Sequence, residues 1–130
     1  MKHSYKPTGY NSISPYFIVD GAQKLIDLLK QIFDAKEMRR YDLPDGKIMH
    51  AELKIDDSVI MISDSSKAYP ANQMLIHIYV PDAKITFDKA VKLGCIAVEE
   101  PVKKNDPDLR GSFKDLQGNL WSIGTQLDAD

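Results

Sequence analysis

The chain repeats one pattern of strand, helix cap and amphipathic helix, and this repeat limits its fold more than any other feature. The first copy occupies residues 15–33 and the second occupies residues 75–93. Val19 and Val80, which end the two predicted strands, are 61 positions apart. Because the whole chain has only 130 residues, the repeat predicts two small modules that are each too short to bury a full core alone.

Alternation of apolar and polar residues after each helix predicts three further strands in each copy. The predicted strands are, in order, 13–19, 36–43, 48–55, 58–63, 73–80, 96–103, 110–114 and 120–126. The hairpins match as well, since Leu53 and Phe113 are 60 positions apart and Ile62 and Ile123 are 61 apart. Agreement at strand, cap, helix and hairpin indicates a true internal repeat.

The repeat also sets the predicted domain organisation. Residues 12–63 form a first β-α-β-β-β module and residues 73–126 form a second one. Residues 64–72, which are rich in small and turn-forming residues, link them. We predict that residues 1–130 make a single domain of the α+β class, preceded by a polar and loosely held arm at residues 1–12.

Signals for the ends of both helices are present. Asp20, with Gln23 three residues further on, predicts a capping box for the first helix. Asp82 predicts an N-cap for the second helix. Asp34 and Gly94 follow the two apolar stripes and are the predicted terminators.

Composition argues against several classes of partner. The 17 basic and 19 acidic residues give a net charge of −2 without any basic block, so we expect no nucleic-acid partner. No apolar run approaches the length of a membrane span, and the N-terminus lacks the apolar core of a signal peptide, so we expect a cytoplasmic protein with no membrane partner. Cys95 is the only cysteine, which excludes an intramolecular disulfide, and we expect it to be buried rather than reactive.

Four segments together resemble the vicinal oxygen chelate superfamily, which contains glyoxalase I, bleomycin-binding proteins and extradiol dioxygenases. The segments are residues 14–20, 44–53, 76–80 and 115–123. Within the superfamily, the likeness is greatest to the PhnB-like group of small glyoxalase/bleomycin-resistance-type proteins. The resemblance implies paired β-α-β-β-β modules, each a curled four-stranded sheet. Together they would give a curled arrangement of eight strands around a concave cavity, with the helices outside. It also implies a homodimer.

Alternation along each strand separates residues that pack on a helix from residues that face this cavity. On the cavity side we expect Ser14, Tyr16, Ile18, His50, Glu52, Met61, Leu75, His77, Tyr79, Arg110, Ser112, Leu120, Ser122 and Gly124. The predicted ligand-binding residues among them are Tyr16, His50, Met61, Leu75, Tyr79, Arg110 and Ser122. Tyr16 and Tyr79 would supply aromatic walls suited to stacking a planar ligand.

The metal enzymes of the superfamily take their ligands, as His, Gln or Glu, from four cavity-facing positions. The resemblance places Ser14, Met61, Leu75 and Ser122 at those positions. Leucine and methionine do not bind hard divalent ions, and neutral hydroxyls bind them poorly. We therefore predict no metal and no cofactor, which argues against glyoxalase I activity and against metal-dependent ring cleavage.

Glu52 and His77 are the candidate catalytic residues. An inward carboxylate needs a partner, because an unpaired buried charge costs on the order of several kcal/mol. His50, His77 and Arg110 are the available partners for Glu52. Pairing of Glu52 with His77 would raise the imidazole pKa and create an acid–base pair, whereas a purely structural pairing is the alternative.

Three functions follow from these residues. The first is a dimeric, metal-free protein that binds a small apolar or aromatic molecule in its cavity. The second is a small-molecule enzyme of lyase or isomerase type that uses Glu52 and His77, either without a metal or with an atypical metal site. The third is an assembly module with a vestigial cavity. The unsuitable metal positions favour the first function over the second, and an inward histidine and glutamate argue against the third.

Overall fold

The computed structural model describes residues 4–127, and the chain divides into two compact units, Met1–Asn72 and Gln73–Asp130. We call them unit 1 and unit 2. Unit 1 contains β1 (Tyr16–Val19), α1 (Ala22–Phe33), β2 (Lys36–Asp42), β3 (Ile48–Ile55) and β4 (Ser58–Asp64). Unit 2 contains β5 (Leu75–Tyr79), α2 (Ala83–Lys92), β6 (Ile96–Lys103), β7 (Asp108–Lys114) and β8 (Leu120–Gln126). The predicted order β-α-β-β-β is confirmed in both.

Each unit builds its own four-stranded mixed sheet, in the order β1-β4-β3-β2 and β5-β8-β7-β6. The pairs β1–β4 and β5–β8 are parallel and the other pairs are antiparallel. The predicted α+β fold of paired modules, each with its own four-stranded sheet, is confirmed, and the eight strands lie in these two sheets. Alternation counts strands and assigns their faces, but it does not say which strands share hydrogen bonds.

One face of each sheet packs against the helix of the same unit. In unit 1, α1 buries an apolar stripe and the sheet buries alternate residues of β1, β3 and β4. The buried residues of that unit include Phe17, Val19, Leu25, Ile26, Leu29, Ala51, Leu53 and Ile62. In unit 2 they include Phe87, Ala90, Phe113, Trp121 and Ile123. Burying one such large side chain contributes about 1.5–3 kcal/mol. Because the helix covers one face of each sheet, the side chains of a functional site are expected on the opposite face.

The start of α1 differs from the predicted capping box. Gly21, at φ 89°, is the N-cap residue and no side chain caps the helix from that position. The left-handed turn at Gly21 carries Asp20 away from the first turn, and the Asp20 carboxylate accepts a hydrogen bond from the Ser65 hydroxyl instead. Asp64, at the end of β4, accepts from the Ala22 N–H at 2.9 Å and replaces Asp20 as the cap.

The other predicted helix ends are confirmed. Asp82 accepts a hydrogen bond from the Ile85 N–H at 3.1 Å, and Gly94 ends α2 in a left-handed conformation at φ 105°. Asp34 ends α1 at φ 54°. In the part of the chain from residue 4 to residue 127, no helix has the length and apolar character needed to cross a bilayer.

The N-terminal arm is held more firmly than its polar sequence suggests. The Tyr10 hydroxyl donates a hydrogen bond to Glu52, and the Asn11 side chain accepts one from the Val59 N–H at 3.2 Å. The expectation of a loosely held arm is therefore wrong at residues 10 and 11, because their side chains satisfy buried polar groups of the sheet. Residues 1–3 of the arm lie outside the described residues.

Candidate functional site

A hydrogen-bonded cluster lies on the face of the unit 1 sheet opposite α1. It consists of Tyr10, Tyr16, His50 and Glu52, and we call it the Glu52 cluster. The Tyr16 hydroxyl is 2.8 Å from His50 Nδ1, and His50 Nε2 is 2.9 Å from Glu52 Oε2. Tyr10 donates to the second carboxylate oxygen, Oε1, at 2.5 Å.

Strand register brings these side chains together. Tyr16 on β1 lies opposite Met61 on β4, and Met61 lies opposite Glu52 on β3. His50 precedes Glu52 by two residues and therefore points to the same face. The long tyrosine side chain crosses the central strand β4 to reach the imidazole.

The electrostatics of the cluster favour an ionised glutamate. Glu52 is only 4% exposed, and its burial alone would raise the pKa of its carboxyl group. Hydrogen bonds from Tyr10 and His50 outweigh that effect and hold the pKa of Glu52 below its ordinary value. Burial and the neighbouring carboxylate in turn raise the pKa of Tyr10, so that its hydroxyl stays a donor.

Aromatic rings hold the His50 imidazole on both sides. The Tyr41 ring stacks on it with a centroid separation of 6.3 Å and an interplanar angle of 27°. The Tyr16 ring is tilted against it at 5.6 Å. These contacts and the two hydrogen bonds leave the ring little freedom to rotate.

Unit 2 carries a second cluster on the corresponding face, formed by His77, Tyr79, Asp106, Asp108 and Arg110. We call it the Arg110 cluster. The Arg110 guanidinium donates to His77 Nε2 at 2.7 Å, to Asp108 at 2.8 Å and to Asp106 at 2.9 Å. The Tyr79 hydroxyl donates to Asp108 at 2.7 Å. Asp108 is 4% exposed, so the guanidinium neutralises a buried carboxylate.

His77 is an acceptor in this cluster. Burial lowers its pKa below the ordinary value, and the positive charge of Arg110 lowers it further. The rise in pKa expected from a Glu52–His77 pair is therefore absent. In the described chain, Glu52 bonds to His50 and Tyr10 and His77 bonds to Arg110, because each finds a partner within its own sheet.

Gly124 makes the position of the His77 ring possible. A Cβ atom at Gly124 would lie 3.2 Å from His77 Nε2 and 3.5 Å from the Tyr79 ring. The glycine thus allows the imidazole to lie directly over β8. Alternation along β8 predicts that Gly124 lies on this face, but it predicts no role for a residue without a side chain.

A cavity of about 740 Å³ opens on unit 1 beside the Glu52 cluster. It is lined by Tyr16, Ile18, Leu43, Asp45, Lys47, Ile48, Met49, Ser63, Asp64, Ser65, Ser66, Lys67 and Tyr69. Asp64 is engaged by the backbone, since its two oxygens accept from Ala22 N–H and Ile48 N–H. Tyr16 is the residue that the cavity and the Glu52 cluster share.

The other predicted ligand-binding residues lie apart from this cavity lining. Met61 is half-buried between Tyr16 and Glu52, while Leu75 is 70% exposed on β5. Ser122 lies opposite His77 in the sheet of unit 2, and Tyr79 and Arg110 belong to the Arg110 cluster.

Several residues of these sites had no part in the predicted site, among them Tyr10, Tyr69 and Asp108. Tyr10 and Tyr69 lie in the arm and in the linker, where no periodicity assigns a face. Asp108 begins β7 two residues before the predicted strand. For Tyr69, the single aromatic residue of the linker at residues 64–72, that isolation was the available signal.

The positions that correspond to the superfamily's metal ligands do not fit a metal here. Ser14, Met61, Leu75 and Ser122 offer two hydroxyls, a thioether and an aliphatic side chain, which is not a donor set for a hard divalent ion. Among residues 4–127, no group of three or more His, Cys, Asp or Glu side chains is arranged to hold a metal ion. None of the four residues is therefore assigned as a ligand.

Cys95 is 5% exposed. Burial, together with the nearby charge of Asp115, raises the pKa of its thiol to about 11. A thiol in this state is a poor nucleophile, which confirms the expectation of a buried, unreactive cysteine.

Known proteins share both the sequence pattern and the fold. The uncharacterized protein Mb0911c of Mycobacterium bovis is 30% identical over 124 residues, covering 87% of this chain and 82% of that protein. TioX from Micromonospora sp. ML1 is 20% identical with a TM-score of 0.72, covering 88% of this chain and 96% of TioX. The fosfomycin resistance protein FosX from Mesorhizobium loti is 19% identical with a TM-score of 0.65, covering 88% of this chain and 91% of FosX.

The structural likenesses show the fold, and the sequence match shows the family. Residues 10–123 match the profile of the Glyoxalase/Bleomycin resistance protein/Dioxygenase superfamily. This match confirms the resemblance to the vicinal oxygen chelate superfamily, while the PhnB-like subgroup stays a prediction. With nearly the whole chain matched and both units folded as β-α-β-β-β, the protein belongs to the glyoxalase/bleomycin resistance protein/dioxygenase superfamily.

Proposed function

We propose that the protein binds a small apolar or aromatic molecule, and that the unit 1 cavity holds it. The observation that carries this proposal is the size of the cavity, about 740 Å³, which falls within the roughly 300–1,000 Å³ of typical small-molecule sites. The family name refers to bleomycin resistance, and FosX is described as a fosfomycin resistance protein. Both descriptions are in keeping with small-molecule binding.

The lining supports a planar, largely apolar ligand. Tyr16 and Tyr69 offer ring faces, and Ile18, Leu43 and Met49 offer aliphatic surface. Burying apolar ligand surface against such walls is favourable by about 25 cal/mol per Å². Polar lining groups at the end of β4 and in the turn before β3 would then orient the ligand.

The alternative enzyme that pairs Glu52 with His77 has weaker support. Glu52 has its hydrogen bonds to His50 and Tyr10, and His77 is bonded to the permanently charged Arg110. The homodimer, the cytoplasmic location and the third possibility of an assembly role stay predictions.

Binding of p-nitroanisole, a planar aromatic ether without an acidic proton, tests the proposal. Titration followed by isothermal calorimetry should show saturable binding with one site per chain. Replacing Tyr69→Ala removes a ring from the cavity wall and should weaken binding by about tenfold, which equals 1.4 kcal/mol. Tyr5→Ala is the matched control, since Tyr5 is 92% exposed and is not among the lining residues.

Equal affinities of the wild type, Tyr69→Ala and Tyr5→Ala would show that the ligand binds elsewhere. A lack of saturable binding by the wild type would reject the proposed function.

A further inference from the structure

The hydrogen bonds of the Glu52 cluster fit two protonation states of His50. When the imidazole is neutral, Nε2–H donates to the ionised Glu52, which can only accept, and Nδ1 accepts from the Tyr16 hydroxyl. When Nδ1 also carries a proton, the ring becomes an imidazolium and donates to Tyr16 Oη. Both states use the same contacts of 2.8 and 2.9 Å, so a proton can move without rearrangement of the side chains.

The surroundings of His50 place one carboxylate at the ring. Glu52, which is 4% exposed, has Oε2 at 2.9 Å from His50 Nε2. The other groups that face the ring are Tyr16 from β1 and Tyr41 from β2. The charged guanidinium of Arg39 lies 5.5 Å from the Tyr10 ring centroid.

Tyr16 connects the cluster to the cavity. It is 36% exposed and is part of the cavity lining, whereas His50 and Glu52 are not among the lining residues. A proton that passes between a bound molecule and His50 would therefore pass through the Tyr16 hydroxyl.

We infer that Tyr16, His50 and Glu52 form a proton relay that deprotonates the acidic hydroxyl of a phenol or an enol bound in the unit 1 cavity. The ligand O–H bond breaks and its proton goes to Tyr16 Oη, while the original Tyr16 proton goes to His50 Nδ1. The ligand becomes a phenolate or enolate, His50 becomes an imidazolium, and Glu52 keeps its charge. No electron is transferred. The inference rests on the proposed function, because the ligand must occupy that cavity.

Unit 2 provides an internal contrast. Arg110 occupies the repeat position of His50, 60 residues further along the chain. A guanidinium has no free acceptor and is protonated throughout the accessible pH range. Arg110 therefore cannot take up a proton at the position where His50 can.

Binding of p-nitrophenol tests the inference, because its yellow phenolate is measured directly by visible absorbance. At a pH below the pKa of the free compound, the ratio of phenolate to phenol should be at least about threefold higher for bound than for free compound. His50→Gln keeps a polar side chain but cannot become a cation, and Tyr16→Phe removes the connecting hydroxyl. Both variants should abolish this enrichment, and Tyr5→Phe should retain it.

The ether p-nitroanisole separates the failure of the relay from the failure of the binding proposal. If both variants bind the ether normally and the phenolate enrichment persists in them, the relay is rejected and the enrichment is due to the cavity lysines, Lys47 and Lys67. If the wild type binds neither compound, the proposed function fails and the relay fails with it.

A measurement on the wild-type protein covers the case in which a variant does not fold. Nitrogen-15 NMR of the histidine side chains distinguishes a ring with one proton from a ring with two. Saturation with p-nitrophenol should convert His50 to the doubly protonated form, and saturation with p-nitroanisole should not. An unchanged His50 ring with bound p-nitrophenol would overturn the inference.

Discussion

The two units carry different chemistry at the same positions of the repeat. Tyr16 and His50 in unit 1 correspond to His77 and Arg110 in unit 2, at offsets of 61 and 60 residues. In both units these two side chains are hydrogen bonded across the sheet, at 2.8 and 2.7 Å. Unit 1 thus joins two groups that can exchange a proton, whereas unit 2 joins a histidine to a fixed positive charge.

At the two helix starts, equivalent positions of the repeat again carry different residues. Asp64 in unit 1 and Thr125 in unit 2 are 61 residues apart, and each accepts a hydrogen bond from the first N–H of its helix. Asp64 also holds the Ile48 N–H, while α2 has a second cap from Asp82. The two units therefore keep the same contact at the helix start, although the residue that makes it differs.

The largest expected effect is a difference in stability between variants that lack one of these two capping side chains. Asp64→Ala removes two hydrogen bonds to a charged acceptor and leaves the N–H groups of Ala22 and Ile48 without that partner. The free energy of unfolding should fall by about 3 kcal/mol. Thr125→Ala removes a neutral acceptor from a helix that keeps Asp82, and should cost about 1 kcal/mol. Urea unfolding of both variants checks this, and an equal or larger loss for Thr125→Ala would contradict it.

An intermediate effect compares the two tyrosine hydroxyls that bond to a carboxylate. Tyr10→Phe withdraws a donor from Glu52, which is 4% exposed, and should lower the free energy of unfolding by about 2 kcal/mol. Tyr79→Phe withdraws a donor from Asp108, which is also 4% exposed but keeps the charged Arg110 guanidinium as a donor at 2.8 Å. We expect little measurable change there. Thermal unfolding of both variants tests this expectation, which fails if Tyr79→Phe lowers the stability more than Tyr10→Phe does.

The smallest expected effect is a difference in pH dependence. The pKa of His77 is lowered from its ordinary 6.5, so the unfolded chain binds a proton more readily than the folded protein. The contribution of His77 to stability is complete above about pH 6.5 and is lost as the pH falls through that value towards the folded pKa. The pKa of Glu52 is also lowered, from 4.5, so its contribution is lost only in more acidic solution.

Unfolding at a series of pH values, followed by fluorescence of the single tryptophan, Trp121, tests this order. His77→Gln should flatten the loss of stability that begins near pH 6.5, and Glu52→Gln should flatten the loss that begins near pH 4.5. If His77→Gln flattened the loss near pH 4.5 and Glu52→Gln flattened the loss near pH 6.5, the predicted order would be contradicted.

Much of the fold was predictable because its signals are local. Strands β3, β6 and β8 begin and end where alternation placed them, and Asp34, Asp82 and Gly94 act at helix ends as predicted. The error at Asp20 is also local in origin, since the left-handed turn at Gly21 cannot be read from a capping motif.

The candidate site was predictable only in part. Alternation correctly placed His50 and Glu52 on one face and His77 on the corresponding face of unit 2. It could not choose partners, which depend on strand register: Tyr16 reaches His50 because both flank β4, and Arg110 reaches His77 because both flank β8. Tyr10 and Tyr69 belong to segments without regular structure, where no period assigns a direction.

The sequence by itself determined the repeat, the order of elements and the faces of strand residues such as His50, Glu52 and His77, because these follow from periodicity and from short-range caps. Only the tertiary structure decided which strands pair within each sheet, that Asp64 at the end of β4 caps α1, and that Glu52 pairs with His50. Each of these is a contact between residues distant in the chain or a choice among competing partners. Such choices are fixed by packing and register, which no local pattern encodes.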